Sequence, residues 1–81
     1  MLKQLNQKAH VVGAKQTKRA VEGGNAQRVF LAEDADPRVT EPLEALCSGK
    51  DVPVTKVPSM KELGAACGIS VGASVAALLR G

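Results

Sequence analysis

The chain has 81 residues, which is one domain's worth: a second core would leave neither half enough apolar surface to offset its conformational entropy. Hydrophobic residues make up 44%, yet Phe30 is the one aromatic, so the core must be built from Val, Leu, Ala, Ile and Met, and platforms for stacking single-stranded bases are nearly excluded. The net charge of +3 is uneven, because Lys3, Lys8, Lys15, Lys18, Arg19 and Arg28 face only Glu22 in the first third, whereas acidic groups outnumber basic ones from Val29 onward. A basic end on a near-neutral body suits a polyanion-binding surface, although solvated lysines give the same count.

Leu2 and Leu5 predict a short amphipathic helix ending near His10, after which Val11-Val12 form a β-branched step closed by Gly13. A second helix follows over Ala14 to Glu22, with Ala14, Thr17, Ala20 and Val21 on the apolar face and Gly23-Gly24 as its stop. Arg28 to Ala32 reads as a strand running into the acidic turn "EDADP". Asp36-Pro37 is a helix-start signal, since the carboxylate can cap free N–H groups and proline fits the first helical position. That helix is expected to run to about Ser48, with Leu43 and Leu46 inward and Gly49 as its stop.

"VPVTKVP" predicts a short strand trimmed by Pro53 and Pro58. Ser59 and Glu62 then form a capping-box pattern for a helix carrying Met60, Leu63, Ala66 and Cys67 on one side and ending at Gly68. After "GISVG", the small apolar run "ASVAALLR" reads as a strand buried on both faces. The order α-β-α-β-α-β-α-β packs naturally as a three-layer α/β/α sandwich around a four-stranded mixed sheet.

Cys47 and Cys67 fit no metal spacing and read as small core residues, reduced in the cytoplasm. His10 has no Cys, Ser or Asp pattern around it and reads as a helix-end histidine. The apolar run Ala76 to Leu79 is far too short for a membrane span. Capping by Asp36 explains part of the acidic turn without a metal ion, and no cofactor or catalytic set is expected.

The chemistry concentrates at "GAKQTKRA". Gly13 sits at a strand-to-helix turn, where unpaired N–H groups and the helix dipole favour an anion, and Lys15, Gln16 and Arg19 add side-chain donors. The spacing is not that of a P-loop, and no G-x-G-x-x-G is present, which disfavours nucleotide chemistry. Lysine or arginine can donate to guanine O6 and N7, and glutamine can both donate and accept at a base edge. A regular A-form groove is too narrow for a helix end, so the target would be an RNA already bent or widened. At "CGISVG", Ile69 and Val71 are either tucked under the turn or set against a partner.

Together "GAKQTKRAVEGG", "VFLAEDADP" and "VPVTKVPSMKELGAACGISVGAS" resemble the kink-turn RNA-binding ribosomal-protein family, especially its short bacterial YbxF-like members, from about Lys8 to Leu79. The resemblance implies a non-catalytic protein that binds kink-turns, sharply bent duplexes with a bulge beside sheared G·A pairs, and that stabilises the bend. It implies that Gly13, Lys15, Gln16 and Arg19 meet the sheared guanines, with Lys18 as a phosphate contact. It also implies that Ile69, Ser70, Val71, Gly72 and Ala73 cover the bulged nucleotides, with Asp36 and Thr40 nearby. Archaeal and eukaryotic members usually carry Asn-Glu where this chain has Lys15-Gln16; the change removes an acceptor for guanine amino groups, which the glutamine carbonyl partly replaces. The expected partner is kink-turn RNA, whether ribosomal, riboswitch or messenger, possible ribosome association included, and the expected state is a monomer. The alternative is a protein-interaction or ribosome-assembly module that docks through its acidic half, around Glu41 and Glu44, with incidental RNA contact.

Overall fold

The computed structural model describes residues 9–80. The elements are β1 (His10–Val12), α1 (Ala14–Glu22), β2 (Ala26–Ala32), α2 (Pro37–Gly49), β3 (Val54–Val57), α3 (Met60–Ala66) and β4 (Val75–Leu79). The helix expected over residues 2–8 lies outside the described residues. His10, expected at that helix's end, belongs instead to β1, because β4 is long enough to pair Leu78, Ala77 and Ala76 with His10, Val11 and Val12.

The sheet order is β1-β4-β2-β3, antiparallel at β1/β4 and β2/β4 and parallel at β2/β3, so the sheet is mixed as the alternation of elements predicts. Side chains on a strand alternate between faces, and the two central strands divide accordingly. Val29, Leu31, Val75 and Ala77 pack with Ala20, Val21, Leu43 and Cys47 of α1 and α2. Phe30, Ala32, Ala76 and Leu78 pack with Leu63 and Cys67 on the α3 side. This is the α/β/α sandwich, and β4 is buried on both faces as its composition predicts.

The helix signals operate as the sequence suggests. Asp36 accepts from the Arg38 N–H at 2.9 Å with Pro37 in the first turn, and Ser59 Oγ accepts from the Glu62 N–H at 3.1 Å. Two details differ. Gly49 is the last helical residue of α2, and the left-handed turn falls at Asp51 (φ 58°), a residue type whose short polar side chain tolerates that conformation. Ala14 is exposed, because the apolar face of α1 begins only at Thr17, once the helix has passed the sheet edge. Burial pushes the Cys47 and Cys67 thiols above their ordinary pKa, which keeps both in the protonated, inert form.

Thr17 is fully buried beneath α1, and among the described residues its hydroxyl has no hydrogen-bond partner. An unpaired buried hydroxyl costs about 1–3 kcal/mol, so Thr17→Val, which keeps the β-branched shape, is expected to raise stability by about 1 kcal/mol. Thermal unfolding should show a rise in Tm of about 4–8 °C.

Candidate nucleic-acid interface

Strand register brings the C-terminal ends of β1, β2 and β3 and the N-terminal end of β4 to one edge of the sheet. Backbone bonds fasten that edge: Gly13 N donates to Val75 O at 2.9 Å, Ala32 N to Ser74 O at 2.9 Å, and Glu33 N to Val57 O at 2.8 Å. All three described helices start there, so their unsatisfied N–H groups collect at the same place.

Two of those ends are already covered. Asp36 caps α2; Ser59 caps α3, and Asp34 Oδ1 accepts from the Met60 N–H at 2.7 Å, which ties the acidic turn to α3. The N-terminus of α1 has no side-chain cap and no acidic residue in its first turn. Its N-cap is Gly13 at φ 101°, ψ 156°, a conformation that only glycine adopts without strain. This is the end that can receive an anion or a base edge.

Lys15, Gln16, Lys18 and Arg19 are all exposed on α1, but they leave it by two flanks. Lys15 and Lys18 line a groove of about 600 Å³ between α1 and α2. Gln16 and Arg19 line a depression of about 300 Å³ on the other side, beside Val11 and Arg80. The spacing in sequence does not show this split, because it depends on where α2 and β1 lie. Arg28 is not part of the cluster: it lies over the sheet and donates to Thr55 Oγ1 at 2.9 Å.

At "CGISVG" the α3–β4 loop does not tuck Val71 beneath the turn. Ile69 and Val71 are the exposed large apolar side chains among the described residues, with 37% and 69% of their surface exposed. The loop beneath them is firmly braced. Ile69 N donates to Gly64 O and Ala73 N to Met60 O, each at 3.0 Å. Gly64 makes this approach feasible, since a Cβ there would overlap the carbonyl oxygen of Val71, and Gly72 lies close over Met60. Ser70 and Gly72 are exposed with the loop, whereas the Ala73 side chain is 4% exposed and belongs to the core.

Asp36 does more than cap. Its carboxylate also takes the Arg38 guanidinium, with Nη2 at 2.8 Å and Nε at 3.1 Å from Oδ2. The guanidinium holds the Asp36 carboxyl below its ordinary pKa, and the carboxylate raises that of Arg38. Thr40 is half-buried on another side of α2, in a pocket of about 260 Å³ that it shares with Glu33, Glu41 and Glu44, away from the basic groove.

Sequence reasoning missed two residues here. Arg38 supplies a fourth cation beside the α1 cluster, and the signal was the Asp-Pro-Arg run, in which a capping carboxylate stands two residues from a guanidinium. Asp34 joins two loops that lie 26 positions apart, and no local pattern announces it.

Comparison with known proteins gives a consistent set of relatives. The model of the Ribosomal protein L7Ae/L30e/S12e/Gadd45 family matches residues 1–80. The RNA-binding protein YbxF of Geobacillus stearothermophilus is 53% identical over 70 residues, covering 86% of this chain and 85% of that protein. The RNA-binding protein TTE2299 of Caldanaerobacter subterraneus is 43% identical over 67 residues, covering 83% of this chain and 82% of that one. Among solved structures, the Giardia lamblia 15.5kD RNA binding protein superposes with a TM-score of 0.92 at 32% identity, over 99% of this chain and 71% of its own.

Proposed function

Because the chain belongs to the Ribosomal protein L7Ae/L30e/S12e/Gadd45 family, we propose that it is a non-catalytic RNA-binding protein that recognises kink-turns and holds the RNA in its bent form. The observation that carries this reading is the pairing, on one sheet edge, of an uncapped helix N-terminus with four polar donors and a braced loop with apolar tips. A helix end suits a widened groove with exposed guanine edges, and an apolar tip suits an extruded base. The protein works by affinity: it binds the kinked state better than the extended one and shifts that equilibrium.

On this reading Gly13 lets the RNA approach the helix end, Lys15, Gln16 and Arg19 read base edges, and Lys18 meets phosphate. Ile69, Ser70, Val71 and Gly72 cover the bulge, with Asp36 nearby, whereas Thr40 faces the acidic pocket on another side of α2 and takes no part. The reading carries with it a monomeric cytoplasmic protein whose target is ribosomal, riboswitch or messenger RNA, with ribosome association as one setting. The test is binding to a kink-turn RNA and to a copy in which Watson–Crick pairs replace the sheared G·A pairs. A preference for the kink-turn of tenfold or more is expected, in the range of about 1–3 kcal/mol per altered pair; equal affinities would sink the reading.

A further inference from the structure

Resting on that RNA-binding reading, we propose that the groove between α1 and α2 carries the phosphate backbone of the bound RNA away from the bend, with Arg38 as a phosphate contact alongside Lys18. The groove opens at the RNA-facing edge, because both of its walls start there: Ala14 and Lys15 come from the first turn of α1 and Arg38 from the first turn of α2. Lys18 continues the line one turn deeper, since residues three apart share a helix face. Every charged side chain that lines it is a cation, and its floor of Val39, Pro42 and Leu46 is apolar. Spaced cations that converge on an open channel match the spaced charges of a polynucleotide backbone.

Arg38 is arranged for this task. Its side chain is 91% exposed, so no burial fixes it; the Asp36 carboxylate does, through Nε and Nη2. That fork leaves the Nη1 amino group without a protein partner among the described residues, and it presets the guanidinium so that less side-chain entropy is lost when a phosphate binds. It also pairs the Asp36 carboxylate with a cation, so a strand passing Arg38 does not meet a bare negative charge there. Asp36 thus acts on the RNA through Arg38 as a positioning residue.

The experiment measures the affinity of the full chain for a kink-turn RNA with long flanking stems over a range of KCl concentrations, for the wild type, Arg38→Ala, Arg38→Lys, Lys18→Ala and Lys50→Ala. Each lost phosphate contact should lower the slope of log K against log salt by about 0.7–0.9 and weaken binding about fivefold at moderate salt. Arg38→Ala and Lys18→Ala should do this, and Arg38→Lys, which keeps the charge, should restore the slope. Lys50 caps the far end of α2, so Lys50→Ala should behave as wild type. The inference is overturned if Arg38→Ala keeps the wild-type slope, the result expected if the groove instead receives a protein segment. The two proposals fail separately: loss of preference for the kink-turn over its Watson–Crick copy counts against the function, whereas an unchanged slope in Arg38→Ala counts against the groove alone.

Discussion

Val71→Asp is expected to leave the fold intact and to weaken kink-turn binding by tenfold or more. Val71 is 69% exposed and its side chain supports nothing in the core, so the change in stability should stay within about 0.5 kcal/mol. In the complex the same position loses an apolar contact and gains a carboxylate beside phosphates, a penalty of about 1–3 kcal/mol that salt should partly relieve. Val71→Ala removes the contact without adding charge and should show a smaller loss with little salt dependence. Filter binding or calorimetry at two salt concentrations separates the two contributions; an Asp variant that binds as wild type would remove the loop from the interface.

Gly64→Ala acts on the same loop from below and should damage both stability and binding. Helix propensity alone favours alanine by about 1 kcal/mol, so a naive reading predicts a gain. The added Cβ, however, would overlap the Val71 carbonyl oxygen and crowd Gly72 Cα at 3.1 Å, which is backbone that cannot rotate aside. The loop must lift, with loss of the Ile69–Gly64 and Ala73–Met60 backbone bonds, each worth about 1 kcal/mol, and of packing around Ala73. We expect a net loss of about 2 kcal/mol, within the range typical of overpacking, and reduced RNA affinity because Ile69 and Val71 are carried off their positions. Chemical denaturation and the binding assay above check the two halves; a stabilised Gly64→Ala protein would show that the loop rides freely on α3.

These two substitutions mark where the sequence was legible and where it was not. Local signals carried far: the Asp36-Pro37 start, the Ser59 cap, the Gly23-Gly24 stop and the continuous small apolar run of β4 each found the structure they predict. Those are short-range effects, decided within a helical turn or a strand pleat. The burial of Gly64 against Val71 and the bond from Asp34 to Met60 are decided by which loops meet across the sheet edge, and nothing near those residues encodes it. The candidate site is legible in the sequence as a cluster but not as a shape. "GAKQTKRA" names the donors, yet the division of Lys15 and Lys18 from Gln16 and Arg19, and the addition of Arg38, follow from α2 packing along one side of α1. His10 was misplaced for the same reason, since its strand partner Leu78 lies at the other end of the chain.

The position of β4 has a consequence for the order of events during synthesis. It is the last of the described strands to be made, yet it lies between β1 and β2, so β1 has no described neighbour in the sheet until β4 arrives. The bond that seats Gly13 ends on Val75, and the bond at Ala32 ends on Ser74, so the edge that carries the candidate site closes only when this segment docks. Contacts of such long sequence separation form late and depend on prior loop closure. A nascent chain that already displays Lys15, Gln16 and Arg19 therefore carries the charges of the interface without its geometry. Binding competence would arrive as a step, once β4 has been made and docked.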